Sequence, residues 1–259
     1  MPRSPIKTEF LYKTTLEQLW AALSEAEHLQ NWFPTIAQVT PGVGGTITYQ
    51  WDDSEFKGTA DIVDWEPCKT LITHEHHLGP NGKPLTLRTA YHLSEEPEGV
   101  RLRLVQSGFE EGEGWDDYAG AFARGWAFEL RGLGYYLENA WGKARRTIWA
   151  RRQVKASLED AWLALTNALR VTPELDRAHW LGQPMRGKTL IWNAPMDLCA
   201  DLTQPLPCFL RIKMDGWGQP DGVQDIHLFL SLFDIDNDAV AKWQQDADDI
   251  LSALPLQST

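Results

Sequence analysis

Cysteine is scarce in this sequence, and its spacing excludes several kinds of site. The chain of 259 residues holds three cysteines, Cys68, Cys199 and Cys208. None stands in a Cys-x-x-Cys pair or in the His-interleaved spacing that zinc and redox sites need. An odd and sparse set also excludes a disulfide scaffold and is typical of a protein in a reducing cytoplasm. We therefore expect a cytoplasmic protein without a metal or a cofactor.

Long apolar runs, glycine and proline are limited as well. No run of about 18 consecutive apolar residues occurs, and residues 1–13 lack the apolar core of a signal peptide. We expect neither a membrane span nor a leader. With 20 glycines and 15 prolines, the composition excludes collagen-like and low-complexity chains.

Positive charge is the minority sign. The chain has 24 Lys and Arg against 36 Asp and Glu, a formal net charge of -12, and a sequence pI near 5.0. Binding to a phosphate backbone depends on Lys and Arg that displace counterions. The charge balance therefore argues against nucleic acid as a partner.

Tryptophan, in contrast, is abundant, with 13 residues. Indole rings bury large areas and occupy pockets, so this number indicates a wide core or an apolar cavity. The length allows one large domain or two ordinary ones.

A repeat favours two domains. Residues 13–23 and 155–165 are identical at six of eleven positions at a constant offset of 142, including Trp20 and Trp162. Thr15 and Ser157 are N-cap residues placed just before an apolar helical period. We predict two domains of shared architecture, residues 1–142 and 143–259.

The pattern of each half predicts an antiparallel sheet closed by a long helix. Short turns separate the β-rich segments, which excludes parallel crossovers. Alternation of Leu85, Leu87, Thr89, Tyr91 and Leu93 indicates a sheet covered on one face. The first-half strands are predicted at Ile6–Lys13, Gly45–Trp51, Phe56–Trp65, Thr70–His77, Leu85–Leu93 and Val100–Gln106, with a helix at Asp116–Trp141. The second-half strands are predicted at Thr147–Val154, Thr189–Ala194, Leu198–Leu202, Cys208–Met214 and Asp225–Asp234, followed by a helix capped by Asp236 or Asn237.

The first half resembles a known family. The segment Leu16–Leu23 with Trp32 and Phe33, the strand Gly58–Trp65, and Gly125-Trp126 in the closing helix are similar to the SRPBCC superfamily of START-like and polyketide-cyclase-like proteins. Within it, residues 6–141 resemble the subgroup related to the activator of the heat-shock-protein-90 ATPase. The resemblance implies a helix-grip fold for the first half, and the repeat makes the second half a shorter, divergent copy. Together they predict an α+β protein of two tandem helix-grip domains, each a sheet wrapped around its C-terminal helix. The resemblance also implies a cavity for an apolar molecule, and no particular reaction.

Aromatic and histidine side chains near this expected cavity are the candidate ligand-binding residues. The elements that surround the cavity in this fold carry Trp51, Trp65, His74, His76, Tyr91, Trp115, Phe122 and Trp126. The aromatic residues have an alternative reading as plain core packing. His74 and His76 would share one face of a strand, but no third ligand for a metal is evident, so we predict no metal site. No catalytic residue is assigned.

Three functions remain open from the sequence. The first is a non-catalytic carrier or sensor of a small hydrophobic or amphipathic molecule. The second is a cyclase, aromatase or hydrolase that uses His74, His76 or Tyr91. The third is a stress-response or co-chaperone interaction module, for which the basic stretch from Lys143 to Lys155 would be the contact. The oligomeric state is left open.

Overall fold

The chain folds as an α+β protein with antiparallel sheets and few helices. The computed structural model describes residues 3–51, 57–215 and 220–258. Contacts divide the chain into two compact units, Met1–Gly142 and Lys143–Thr259. Phe56, the predicted start of the second strand, lies outside the described residues. No helix of the described ranges is both long and apolar enough to span a membrane.

The first unit is a seven-stranded antiparallel sheet with a 25-residue helix. Its elements are β1 (Ile6–Tyr12), α1 (Leu16–Ser24), α2 (Ala26–Leu29), β2 (Ile36–Thr40), β3 (Thr46–Gln50), β4 (Lys57–Glu66), β5 (Thr70–Leu78), β6 (Pro84–Glu96), β7 (Gly99–Ser107) and α3 (Trp115–Asn139). The strand order is β1-β7-β6-β5-β4-β3-β2.

Helix α3 packs against the inner face of this sheet. Its apolar stripe includes Leu130 and Leu133, which are fully buried. Tyr12 of β1 donates a hydrogen bond from its hydroxyl to the Leu130 carbonyl oxygen at 2.8 Å. The Tyr118 hydroxyl donates to the Leu78 carbonyl oxygen of β5 at 3.2 Å. These bonds hold the first turn and the second half of the helix against strands of the sheet.

The second unit contains a six-stranded antiparallel sheet and a small hairpin. Its elements are β8 (Arg145–Lys155), α4 (Leu158–Leu169), β9 (His179–Trp180), β10 (Gln183–Pro184), β11 (Arg186–Asn193), β12 (Asp197–Gln204), β13 (Cys208–Asp215), β14 (Val223–Phe233), α5 (Asn237–Ser252) and β15 (Gln257–Ser258). The sheet order is β11-β12-β13-β14-β8-β15.

The two units share their strand order and their first helix cap. In each, the first strand pairs with the last long strand, and the preceding strands follow in turn. Thr15 accepts a hydrogen bond from the Gln18 backbone at 3.2 Å, and Ser157 accepts one from the Asp160 backbone at 3.0 Å. These are the caps that the repeat predicts. Among the described residues, the second sheet has no counterpart of β2 and β3.

A buried ion pair ties β8 to β14 in the second unit. Arg151 Nε donates to Asp225 Oδ1 at 2.9 Å, and His227 Nε2 lies 3.5 Å from the same oxygen. Burial alone would raise the pKa of the Asp225 carboxyl, but the hydrogen bonds from His227 and Arg151 outweigh it and hold the pKa well below its usual range.

The basic stretch after residue 142 is engaged within the second unit. Lys143 Nζ lies 2.5 Å from Asp234 Oδ2, and Arg146 donates to Asn237. Arg152 donates to the carbonyl oxygens of Leu251, Leu254 and Leu256 at 2.5, 3.1 and 2.7 Å. The partners of Arg152 surround the end of α5, so these cations serve the local fold.

Candidate functional site

A small cavity lies between α3 and the inner face of the first sheet. Its volume is about 30 Å³, and its lining includes Phe33, Tyr49, Thr73, Glu75, Tyr91 and Trp126. A cavity needs roughly 10–15 Å³ to hold one water molecule. Ligand pockets of drug-sized molecules measure about 300–1,000 Å³. The cavity therefore admits a water-sized group, and side chains fill most of the space that a larger guest would take.

The alternation of strand β5 places a carboxylate in this lining. Leu71, Thr73 and Glu75 line the cavity, because every second side chain of a strand points to the same face. Glu75 pairs with Leu87 of β6 and with Ala60 of β4 in the antiparallel register. The acidic side chain is thus held in an otherwise uncharged lining.

Glu75 makes two contacts with its neighbours. The Tyr49 hydroxyl donates a hydrogen bond to Glu75 Oε2. His77 Nε2 lies 3.4 Å from the same oxygen but has no hydrogen-bond partner among the described residues. The Glu75 side chain is 13% exposed and that of His77 18%, so this acid-imidazole pair is largely shielded from water.

The two tyrosines of the cavity are held in their neutral form. Burial raises the pKa of Tyr49 and of Tyr91 far above the usual value, and the negative charge of Glu75 adds to the rise in both. A neutral phenol keeps its proton for hydrogen bonding. Tyr49 therefore remains a donor to Glu75.

Glycine at position 58 allows the Tyr49 ring to reach Glu75. Gly58 is the cross-strand partner of Tyr49. A Cβ atom at Gly58 would lie 2.1 Å from Tyr49 Cε2 and 2.3 Å from Cζ. The ring therefore lies flat across β4, in space that any other residue would occupy.

Aromatic rings form the rest of the wall. Phe33 contacts Tyr49, Trp51 and Trp126 with centroid distances of 5.6, 5.2 and 5.8 Å. Tyr91 meets Trp126 edge to face at 6.1 Å. These rings pack on one another and also line the cavity. The same side chains therefore serve both as core and as cavity wall.

A hydrogen-bond chain fixes the orientation of Trp126. Its Nε1 donates to Gln106 Oε1 at 3.0 Å, and Gln106 Nε2 donates to Thr89 Oγ1 at 3.1 Å. Gln106 and Thr89 are buried cross-strand partners on β7 and β6. This series of hydrogen bonds gives partners to buried polar groups that would otherwise have none.

The decisive comparison concerns this first unit. A family of proteins described as Activator of Hsp90 ATPase homolog 1-like matches residues 13–138. Over those residues, the first unit is similar to that family. The match ends at the close of α3 and so contains every residue of the cavity named above. No curated protein matches the chain.

Several solved structures are similar to this chain. Protein MLL2253 from Mesorhizobium loti is 24% identical, with a TM-score of 0.47, covering 52% of this chain and 96% of its own. The Aha1 dimer from Colwellia psychrerythraea is 20% identical, with a TM-score of 0.46, covering 54% and 100%. DynU16, a putative protein in the dynemicin biosynthetic locus, is 12% identical with a TM-score of 0.44 and covers 96% and 98%.

The structure brings three of the predicted aromatic residues of the first unit together. Tyr91 and Trp126 line the cavity, and Trp51 packs behind it on Phe33 and on Tyr49, with centroid distances of 5.2 and 5.5 Å.

Three others lie elsewhere in the unit. Trp65 packs edge to face on Trp20, with centroids 5.0 Å apart. Trp115 belongs to a separate core cluster, against which Phe122 packs. Helical and strand periods place these three residues correctly toward the interior, but not at this cavity.

His74 and His76, two of the candidate ligand-binding residues, lie on the outer face of the sheet and away from this cavity. His76 Nε2 lies 3.3 Å from Asp61 Oδ2, and its Nδ1 lies 3.1 Å from Thr86 Oγ1, on the outer face of the sheet. His74 pairs with Arg88 and shares that face. Because side chains alternate along β5, it is Glu75 and His77 that point inward.

Metal binding has no support in the described part of the chain, where no group of three or more His, Cys, Asp or Glu side chains is placed to hold an ion. Cys199 and Cys208 are buried and unbridged. Burial raises the pKa of the Cys208 thiol to about 12, which keeps it protonated and poorly reactive.

Proposed function

We propose that the first unit binds a small amphipathic molecule in the cavity between its sheet and α3. We also propose that the chain is a tandem of helix-grip domains, 1–142 and 143–259, of which only the first carries this site. The observation that carries the binding proposal is the Glu75 carboxylate in an aromatic lining. An apolar pocket with few convergent polar groups is the ordinary form of a ligand site.

The burial of Glu75 supports binding over pure packing. Burying a charged group costs free energy unless a partner compensates for it. An apolar residue at this position would fill the core at least as well as Glu75 does. A polar group kept there favours a role toward a guest molecule.

The size of the cavity determines which part of a guest fits without a movement of the aromatic rings. A group of the size of a water molecule enters the cavity of about 30 Å³ as it stands. A larger apolar portion requires the aromatic rings to move. A guest whose apolar portion enters the cavity therefore binds with these rings displaced.

A cavity-filling substitution tests the proposal. Ala60 lines the cavity and is 4% exposed, so Ala60→Val places methyl groups where the guest would lie. Ala90, on the opposite face of the same sheet and fully buried, is the matched control.

Native mass spectrometry of the purified protein, followed by organic extraction, should reveal a bound small molecule in the wild type and in Ala90→Val. Ala60→Val should have lost it. A wild-type protein that carries no molecule, and binds none from a library of small amphipathic compounds, would refute the proposal.

A second candidate function is acid-base catalysis in the same cavity. The close approach of His77 Nε2 to Glu75 Oε2, at 3.4 Å, is the observation that favours it, since a carboxylate orients an imidazole for proton transfer. Replacing His77 by Gln separates the two functions. A carrier should still bind its molecule, whereas an enzyme should bind it and lose turnover.

A further inference from the structure

We infer that the group recognised in this cavity is a cation, namely the ammonium or methylated ammonium head of an amphipathic molecule. The inference rests on the proposed function and specifies its ligand class. Three observations carry it: the sign of the charge in the lining, the lone pairs that Glu75 keeps, and the size of the cavity.

The formal charge in the lining is negative. Glu75 contributes a carboxylate to it. Neither Lys nor Arg is among the described residues that line the cavity. An anionic head group, such as a fatty acid carboxylate or a phosphate, would meet repulsion there.

The hydrogen bonding of Glu75 leaves acceptor capacity for a guest. Both of its contacts involve Oε2, which accepts from Tyr49 and faces His77 Nε2. Within the described ranges, Oε1 has no hydrogen-bond donor. Ammonium groups are donors only, with no acceptor that would need a partner in this wall. A cation therefore satisfies Glu75 without leaving a polar group unpaired.

The size of the cavity agrees with a head group rather than a whole molecule. A volume of about 30 Å³ holds a group of roughly one or two water molecules in size. A primary ammonium or methylammonium group falls in this range. The remainder of the molecule lies outside the cavity or displaces the surrounding rings.

Three six-carbon probes that differ only in their head group test the inference. Hexylammonium, hexanol and hexanoate are titrated separately into the full-length protein at pH 7, with isothermal calorimetry as the measurement. Hexylammonium should bind at least about tenfold more tightly than hexanol, since hydrogen bonds to charged groups exceed neutral ones by this order. Hexanoate should bind most weakly.

Two variants assign the preference to its residue. Glu75→Gln keeps the shape and an acceptor for Tyr49, and it should abolish the preference for hexylammonium while the affinity for hexanol stays unchanged. Asp61→Asn removes the same charge from the outer face of the neighbouring strand and should leave all three affinities unchanged. The wild-type ranking decides the matter even if Glu75→Gln does not fold.

The outcomes separate this inference from the function on which it rests. Equal affinities for hexylammonium and hexanol, tightest binding of hexanoate, or an undiminished preference in Glu75→Gln would overturn the cation inference and leave a binding cavity in place. Failure of all three probes to bind the wild type would overturn both.

Discussion

Replacing Gly58 by Ala should disturb the candidate site and the stability of the first unit together. The added Cβ atom would lie 2.1 Å from Tyr49 Cε2, whereas nonbonded carbon atoms pack at about 3.5–4.0 Å. The ring must therefore move by more than about 1 Å to restore ordinary contact. Phe33 and Trp51 pack against it at centroid distances of 5.6 and 5.5 Å, so its neighbours resist that movement.

The expected cost is about 2–5 kcal/mol in the free energy of unfolding. Overpacking of this kind costs about 1–3 kcal/mol, and loss of the Tyr49 hydrogen bond to a carboxylate adds about 1.5–3 kcal/mol. The stiffer unfolded chain returns about 0.4–1 kcal/mol. Urea unfolding followed by circular dichroism and tryptophan fluorescence measures the difference.

Gly120 provides the matched control, because a Cβ atom there meets none of the described atoms within 4 Å. Within α3, Gly120→Ala should raise stability by up to about 1 kcal/mol. A Tyr49→Leu background should remove most of the cost of Gly58→Ala, since the clashing ring is absent. The reasoning is refuted if Gly58→Ala is as stable as Gly120→Ala, or if it costs as much in the Tyr49→Leu background as in the wild type.

Three further substitutions test other contacts, each by urea unfolding. Asp225→Asn should cost about 1–3 kcal/mol at pH 7, because it breaks an ion pair in which the carboxylate is buried and Arg151 is half exposed. Folding lowers the pKa of Asp225, so this loss of stability should shrink as the pH falls below about 4. A loss that stays constant with pH would contradict the reasoning. Arg152→Met should cost about 2–3 kcal/mol through the carbonyl groups it leaves unpaired, and Arg152→Lys should restore only part of it. Tyr12→Phe should cost about 1 kcal/mol, the contribution of its hydrogen bond to α3; no measurable loss would show that water replaces the hydroxyl.

The elements with strong periodicity could be predicted from the sequence. The closing helix is predicted at Asp116–Trp141 and observed at Trp115–Asn139, because its apolar stripe continues along its whole length. Cap residues also predict correctly: Asp236, one of the two candidates, caps α5 through a hydrogen bond from the Ala239 backbone at 2.8 Å. These features depend on residues that are near one another in the chain, so they can be predicted from the sequence.

Short edge elements could not be predicted. Strand β2, Ile36–Thr40, pairs only with β3 within the described ranges, and its five residues give too little alternation to stand out. Strands β9, β10 and β15 have two residues each. Strands β9 and β10 pair with each other, and β15 adds to the edge of β8. Two residues are too few to show an alternation in the sequence.

The sequence does not show which side chains of β5 point to the inner face of the sheet. On β6 the alternation of leucines identifies the inner face, but β5 buries Leu71 and Ile72 on opposite faces and carries Glu75 inward. A polar residue inside and an apolar residue outside reverse the usual signal. The register with β6, in which Thr73 faces Thr89, resolves the ambiguity, and it requires knowledge of the paired strands.

The packing of the aromatic rings bears on which guests this cavity admits. Phe33 stacks on Trp32 and Trp126, with centroid distances of 5.3 and 5.8 Å, and also touches Tyr49 and Trp51. Each such aromatic pair contributes about 0.5–1.5 kcal/mol beyond its buried area. A guest that displaces Phe33 therefore forfeits several of these contributions before it gains any contact of its own. A head group that fits beside Glu75 without moving a ring incurs none of this loss, so the packing itself selects for a small polar end.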